Sequence, residues 1–431
     1  MLSPQDNELL CRVGPGTPVG DVMRHYWIPA IRSDELPAPD SPPIRIRLLG
    51  EDLIGFRTTS GAVGLLHSAC PHRGASLFFG RNEEEGLRCV YHGWKFDVTG
   101  ACVDMPSEPA ESNFRTKVHA GAYPTRERGG VIWAFMGHDE PPDLPMLEGN
   151  MQPEGRSFIY NLFCEGNFMQ NWEGDMDTVH AAFLHGSFTP REVVPGSVQA
   201  FTQENKAPRF SVLDTEWGTS YGAYRPAGDD SYYWRISHIL FPFYSMIPNG
   251  TLGRGVFWRA YVPIDDDHTM MWTQIAGPDF EKRIAGLTGG LRWLPSTSGW
   301  LGRYHLTQNQ HNDFLIDRDV QKSGTSYTGI PGGARPQDMA RTWSMGPIYD
   351  RSHEHLGTTD ALIIRTRRRM INAAKALRIH GTLPPAAADP AIYAQRSGQV
   401  VLPRNVDWWQ ETQELRKAFV EHEGLLELAG A

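Results

Sequence analysis

Hydrophobic and polar positions change their period several times along this chain. Residues 5–26 carry short helical-period runs. Gly14-Pro15-Gly16 breaks the first, and Thr17-Pro18-Val19-Gly20-Asp21 opens the next as a capped start, so a short helical lead-in is expected. From about 28 to 140 the pattern becomes short alternating runs, such as Ile44-Arg45-Ile46-Arg47-Leu48-Leu49 and Val131-Ile132-Trp133-Ala134-Phe135-Met136. Gly, Asp, Ser and Pro turns cut them, which predicts an antiparallel β domain. Pro141-Pro142-Asp143-Leu144-Pro145 reads as a boundary. Beyond it the pattern is mixed. A helical stretch is expected over about 166–186, strands at 208–214, 231–244, 255–263 and 268–276, and one strong helix over 359–378. In that helix Ile363, Thr366, Met370, Ala374 and Leu377 recur at helical spacing.

Composition narrows the class. The 431 residues, 40% hydrophobic and 21% charged, exclude a disordered, collagen-like or disulfide-stapled chain, and the length allows two or three domains. A formal charge of −9 argues against nucleic acid or an anionic membrane as the main partner. No apolar run reaches the ~18 residues of a membrane helix. Met1-Leu2-Ser3-Pro4-Gln5-Asp6 has neither the basic nor the apolar region of a signal peptide. Five cysteines, an odd number, make no disulfide framework and point to the reduced cytoplasm.

Two groups of residues carry chemistry. The first, in the β region, is Cys70-Pro71-His72-Arg73-Gly74 followed by Cys89-Val90-Tyr91-His92-Gly93-Trp94. Two thiolates and two imidazoles fit a tetrahedral zinc ion, or a [2Fe–2S] cluster with both Cys on one iron and both His on the other. Zinc ribbons and fingers usually pair like with like. Here each loop supplies one Cys and one His, as the cluster requires. Cys11, Cys102 and Cys164 belong to no such motif and are expected to pack.

The second group is the run Asp177-Thr178-Val179-His180-Ala181-Ala182-Phe183-Leu184-His185. Asp177 and His180 share a helical face if the helix continues. His180 and His185, five apart, diverge by about 140° on an ideal helix, so convergence on one ion demands a helix end or a π-bulge. Two imidazoles need a carboxylate to complete the facial triad of a non-haem Fe(II) site. Asp313, Asp317, Asp319 and Asp338 are the downstream candidates.

Taken together the motifs resemble the Rieske non-haem iron aromatic ring-hydroxylating oxygenases, large (α) subunit, in the phthalate dioxygenase-like branch that includes aryl-ether O-demethylases. The resemblance also rests on Leu9 to Pro18, Val262-Pro263-Ile264-Asp265-Asp266, Asp317-Arg318, Tyr327 to Gly332, and Gln337-Asp338-Met339-Ala340 leading into Ser344-Met345-Gly346-Pro347-Ile348. It implies an α+β fold. A helical lead-in (1–27) packs on the catalytic domain, an all-β Rieske [2Fe–2S] domain spans 28–140, and a catalytic domain with a large antiparallel sheet flanked by helices spans 141–431. It further implies that Cys70, His72, Cys89 and His92 hold the cluster and that His180, His185 and Asp338 hold the mononuclear Fe(II). Asp177 is then the catalytic bridge, accepting hydrogen bonds from His180 and from the partner subunit's His92 across a homotrimer or a stacked pair of trimers. O2 is the co-substrate. Electrons come from NAD(P)H through a flavin/iron–sulfur reductase, with or without a ferredoxin. Ala75 and Tyr91 stand where the respiratory branch has its extra cysteines, which places the potential toward the low end of the ~−150 to +300 mV range.

The substrate implied is aromatic and expected to be an aromatic acid, either dihydroxylated or monooxygenated. O-demethylation of a methoxylated aromatic acid is the alternative, and a Rieske electron carrier without catalysis or a structural metal protein are readings from other classes. The pocket is expected over the iron, walled by the sheet and by the segments after the ligand helix, with Phe183, Leu184, Phe188, Ile239, Phe241, Phe243 and Met246 as apolar lining or plain core. Arg209, Arg225, Arg235 and Arg259 are candidates to hold a carboxylate bidentately. Asn249 and His238 are candidates for a phenol or ether oxygen, and Asn312 for the cavity wall. Arg365, Arg367, Arg368 and Arg369 are expected to form a solvated or subunit-facing stripe, with docking of an acidic reductase as the alternative.

Overall fold

The structure, a computed structural model, describes residues 1–187, 193–278, 280–422 and 424–429. It opens with α1 (Pro4–Cys11), capped by the Ser3 hydroxyl accepting from the Asp6 N–H, and α2 (Pro18–Arg24). Short strands follow: β1 (Trp27–Arg32), β2 (Ile44–Leu48), β3 (Glu51–Arg57), β4 (Val63–His67), β5 (Arg81–Glu83), β6 (Gly86–Arg88), β7 (Lys95–Phe96), β8 (Cys102–Asp104), β9 (Thr125–Arg128) and β10 (Val131–Phe135). They pair as antiparallel sheets β1-β10-β9, β2-β3-β4 and β5-β6-β7-β8.

The rest of the chain runs β11 (Ser157–Glu165), α3 (Phe168–Met176), α4 (Val198–Glu204), β12 (Arg209–Thr215), β13 (Gly218–Pro226), β14 (Ser231–Leu240), β15 (Tyr244–Met246), β16 (Val256–Pro263) and β17 (His268–Ala276). Then come α5 (Phe280–Thr288), α6 (Arg318–Ser323), α7 (Ala334–Trp343), α8 (Ala361–His380), β18 (Gly398–Pro403) and α9 (Trp408–Glu411). An eight-stranded sheet has the order β11-β17-β16-β15-β14-β13-β12, with β18 also on β14. Its strands pair antiparallel throughout. One edge of β14 is shared, its residues 238–240 pairing with β15 and 231–236 with β18. The fold is therefore α+β, an all-β cluster-bearing region followed by a large sheet with helices.

Burial explains how the parts join. Trp27, Ile28, Ile31, Ile132, Trp133 and Phe135 of β1 and β10 belong to the same hydrophobic core as the large sheet, and the rings of Trp133 and Trp258 lie 6.1 Å apart. The loops carrying Cys70 and Cys89 sit over a smaller core of their own, with Ile54, Phe56, Leu66, Leu87 and Phe96. That core bears the two cysteines on a compact tip.

Some local expectations change. The stretch 166–186 is not one helix: α3 stops at Met176 and a 3-10 turn covers His180–Ala182. The segment 231–244 divides, because the chain turns at Phe241-Pro242 before β15. The periodicity does not single out β11, β13 or β18. The arginines of α8 are no common stripe. Arg367 is buried between Glu173 and Glu354, Arg365 pairs with Asp214, Arg369 donates to the Thr215 carbonyl, and Arg368 is exposed.

Candidate metal centres and active site

The cluster tip is built by backbone turns. The Cys70 N–H donates to the Ala75 carbonyl and the Gly74 N–H to Cys70; the Cys89 N–H donates to Trp94 and the Gly93 N–H to Cys89. Gly74 and Gly93 take positive φ (+76° and +78°), the region glycine enters without steric cost. These turns bring the rings of His72 and His92 to a centroid distance of 4.3 Å, with His72 stacked on Trp94. The Nδ1 atoms of both histidines are buried and, among the described residues, without a hydrogen-bond partner. Cys70 and Cys89 are buried, unpaired as disulfides, and in contact; burial pushes the Cys70 thiol up to about 11, while the amides of His72 and Arg73 oppose that rise. Two orphaned ring nitrogens beside two thiols fit a metal–sulfur group, and a thiol that resists ionisation in isolation becomes a ligand once a metal supplies the opposing charge.

The second centre begins where α3 ends. Asp177 is the C-cap residue (φ −94°, ψ 104°), and its Oδ1 accepts from the N–H groups of Val179 (2.8 Å) and His180 (3.2 Å). This Asx-type turn stops the helix and starts the short turn at His180. The Leu184 N–H closes onto the His180 carbonyl at 2.7 Å, which swings His185 round. The two imidazoles thus converge, ring centroids 5.0 Å apart, by the helix-end route.

Asp338, on α7, completes the group. One ligand atom from each of His180, His185 and Asp338 lies within 4.8 Å of the others. Asp338 Oδ1 is 3.1 Å from His185 Nε2 and 3.6 Å from His180 Nε2, and it is buried with no hydrogen-bond partner among the described residues. Each imidazole is held from behind. His185 Nδ1–H donates to Gln337 Oε1 (2.7 Å), and His180 Nδ1 lies 3.5 Å from Asp177 Oδ2. Both Nε2 atoms are thereby presented to the carboxylate, the donor set of a 2-His-1-carboxylate iron site. Burial alone raises the Asp338 carboxyl, but Arg335 (Nη1 to Oδ2, 3.1 Å) and the two imidazoles hold it well below the usual range. Asp177 is likewise held low, burial being outweighed by His180 and the two amides.

A buried ionic clamp fixes α3. Glu173, one turn before Asp177, accepts from Arg367 Nε (2.6 Å) and Arg351 Nη2 (3.2 Å); Arg351 also donates to Asn7 Oδ1 (3.0 Å) on α1. Burial would raise Glu173, and the two guanidinium groups keep it below its ordinary value.

A cavity of about 680 Å3 opens beside Asp177 and His180, with Phe183, Leu184, Met345 and Ile363 on its walls. Among the described residues its walls are helices and loops, as expected for the segments after the ligand helix, and the sheet contributes none. Ile239, Phe241, Phe243 and Met246 are packed in the core, and Phe188 lies outside the described residues. Of the polar candidates, His238 is fully buried, joined to Ser220 (2.7 Å) and the Arg396 carbonyl (3.1 Å), and burial lowers it to about 3. Asn312 is an exposed capping residue whose amide serves its own turn through Asn309 and Thr307. Asn249 does not line the cavity, although its Nδ2 is buried without a partner. Arg209 is exposed, and Arg259 is consumed by Asp175 (2.6 Å).

Arg235 and Arg225 do not line the cavity either, but Arg235 stands beside the end of α3. Its Nε donates to Thr178 Oγ1 (2.9 Å), next to Asp177. The antiparallel register sets Arg235 opposite Ala223, so Arg225, Arg235, Tyr221 and Ser237 share one face of β13 and β14. Arg225 is 1% exposed with Nη1 unpartnered, and burial together with the Arg235 charge lowers it to about 10. Among the described residues neither arginine has a carboxylate within ion-pair distance. Sequence reasoning missed Arg335, Gln337, Thr178 and Glu173. Arg335 and Gln337 were within reach, since they lie one helical turn from, and next to, Asp338.

The donor sets define the class first: an iron protein with an electron-storing cluster in one domain and an oxygen-activating site in another. Residues 26–123 match the Rieske [2Fe-2S] domain family, and residues 134–427 match the family described as LigXa C-terminal domain like. The chain is 44% identical over 424 residues to the 3-chlorobenzoate-3,4-dioxygenase oxygenase subunit of Comamonas testosteroni, covering 95% of this chain and 97% of the relative. It is 38% identical over 427 residues to the phthalate 4,5-dioxygenase oxygenase subunit of Pseudomonas putida, covering 95% and 94%. The solved structure of Pseudomonas putida CBB5 NdmA shares the fold, with a TM-score of 0.55 at 18% identity, over 90% of this chain and 100% of that one. The chain belongs to the Rieske non-haem iron oxygenases, as the oxygenase (α) subunit of the phthalate dioxygenase-like branch. It is an oxidoreductase, which sets aside an electron carrier without catalysis. No described helix is long and apolar enough to cross a membrane.

Proposed function

We propose that this oxygenase dihydroxylates an aromatic carboxylic acid, with O2 as co-substrate and electrons drawn from NAD(P)H through a flavin/iron–sulfur reductase, with or without a ferredoxin. The observation that carries the reading is the uncompensated arginine pair. Arg225 is buried and Arg235 half-buried on the same sheet face, and among the described residues neither has a counter-ion. Such a pair is costly unless an anion joins it. Arg235 reaches Thr178 beside Asp177, so a carboxylate held there has its ring near the imidazole–carboxylate triad. The relatives named for 3-chlorobenzoate and phthalate act on aromatic acids, which supports the same substrate class.

His180, His185 and Asp338 would hold the mononuclear iron, and Cys70, His72, Cys89 and His92 the cluster. When bound, the iron supplies O2 activation and the cluster supplies electrons. The chain's own residues do the positioning. Gln337 and Asp177 fix the imidazole tautomers, Arg225 and Arg235 orient the acid, and the apolar walls limit water. The exposed Val90 and Tyr91 at the cluster tip, and Phe183 at the cavity mouth, support a head-to-tail homotrimer, singly or stacked in pairs. There the partner subunit's His92 meets Asp177, which accepts one hydrogen bond from each side of the interface. Five unpaired cysteines suit a cytoplasmic location.

The test is a substrate screen with reductase and NADH, following O2 uptake and product. Benzoate-type acids are expected to couple uptake to a cis-diol, and Arg235→Gln to raise KM for them by roughly 10- to 100-fold. Formaldehyde release from a methoxylated acid would establish O-demethylation instead. Equal turnover of neutral analogues would remove the carboxylate reading.

A further inference from the structure

The two oxygens of Asp338 live in different surroundings. Oδ1 faces both imidazole Nε2 atoms and has no hydrogen-bond donor among the described residues, while Oδ2 is 3.1 Å from Arg335 Nη1, one helical turn earlier on α7. Arg335 itself is poorly placed for stability. Its side chain is 11% exposed, its Nε is buried without a partner among the described residues, and it feels the like charge of Arg259. Arg259 gains Asp175 Oδ1 at 2.6 Å and Thr273 Oγ1 at 3.1 Å, and the Ser245 hydroxyl takes the other Asp175 oxygen. Asp175 is thus fully used, and Asp338 is the ion-pair partner left to Arg335. A buried cation with one partner and a like-charged neighbour adds little net stability.

We propose that Arg335 is a positioning residue that reserves Oδ2 of Asp338, so that the carboxylate offers the mononuclear metal Oδ1 alone. The guanidinium stops the carboxylate from turning both oxygens toward the imidazoles and draws charge from the ligand. One-oxygen ligation takes up less of the metal's coordination sphere and leaves more of it open, as sites of this donor type require for O2. The charge withdrawn also weakens the metal's hold on the carboxylate. The inference rests on the proposed triad of His180, His185 and Asp338.

Its test uses the full chain with the cluster intact, the mononuclear iron removed by chelation and replaced by Co(II). Cobalt K-edge absorption then reports the second site without signal from cluster iron. A competing chelator gives the Co(II) dissociation constant. Wild-type protein is expected to show one carboxylate oxygen at cobalt. Arg335→Gln is expected to add about one oxygen neighbour, lower the pre-edge intensity and tighten Co(II) binding by roughly three- to tenfold. Arg335→Lys, which keeps the charge, is expected to restore the wild-type spectrum. Arg335→Met replaces the Gln variant if that one loses its cluster absorbance or circular dichroism. An unchanged edge in the neutral variants, or weaker binding with an unchanged edge, overturns the proposal and makes Arg335 purely structural. So does a wild-type cobalt bound by both oxygens, which is decisive even if no neutral variant folds. Asp338→Asn separates this inference from the triad itself: if that variant and the wild type bind Co(II) equally, the triad reading has failed instead.

Discussion

At the cluster tip, four candidate ligands come from two loops, and the loops are shaped by their own backbone: each cysteine exchanges hydrogen bonds within five residues of itself. At the second centre, two candidate ligands follow a helix end, the third arrives on α7, and each is oriented by a side chain. Gln337 reaches His185 from 152 residues away, Asp177 backs His180, and Arg335 holds Asp338. The first site has a small core under it; the second hangs on α3, which Glu173 ties to α8 and, through Arg351, to α1. A locally built site tolerates changes elsewhere, whereas a site assembled from distant elements inherits their faults.

The sharpest break in that comparison is Asp338→Asn. Metal analysis should fall from about three to about two iron per chain, with acid-labile sulfide constant and oxygenation at background. Loss of sulfide as well would show that the two centres are not independent. Next in size is Glu173→Gln, which leaves Arg351 and Arg367 short of a buried counter-charge. It should cost about 3–5 kcal/mol in urea unfolding while the cluster's visible spectrum under native conditions is kept. A cost below about 1 kcal/mol would mean that the clamp does not support α3.

Asp177→Asn should retain both metals and lower turnover by roughly 10- to 100-fold, since it weakens the hold on His180 and the proposed bridge to the partner subunit. Near-normal product formation would rule out the bridging role. The smallest effect concerns acid. His238 titrates near 3 when folded and near 6.5 when unfolded, so between those values the unfolded chain binds the extra proton. Stability therefore rises with pH across that window, and lowering pH from about 6.5 to about 5 should cost about 2 kcal/mol through this group. His238→Gln should flatten that limb of the pH–stability curve; an unchanged slope would assign it to other groups.

The same contrast decides what can be read from the sequence. Cys70, His72, Cys89 and His92 announce themselves by spacing because their geometry is local. His180 and His185 are visible too, and the requirement for a helix end follows from 3.6-residue periodicity; the end itself depends on Asp177 capping its own turn, which periodicity does not encode. For Asp338, composition leaves four aspartates level, and family resemblance alone singles it out. Of the expected pocket walls, Phe183 and Leu184 after the ligand helix hold, while the sheet wall does not, because apolar residues at 239–246 fill the core equally well and burial is decided by which sheet face meets which helix. Likewise the α8 arginines carry one charge pattern in sequence but face Glu173, Asp214 and solvent in three directions.

The clamp from α1 to α3 gives the first turns of the chain an unexpected standing. Asn7 and Cys11 form part of the wall behind Arg351, and Arg351 steadies the helix that ends at Asp177. Trimming residues 1–12 to tidy an apparently peripheral lead would take Asn7 and Cys11 away from Arg351, so the proposed iron site leans on a segment more than 300 residues from the helix that supplies its carboxylate.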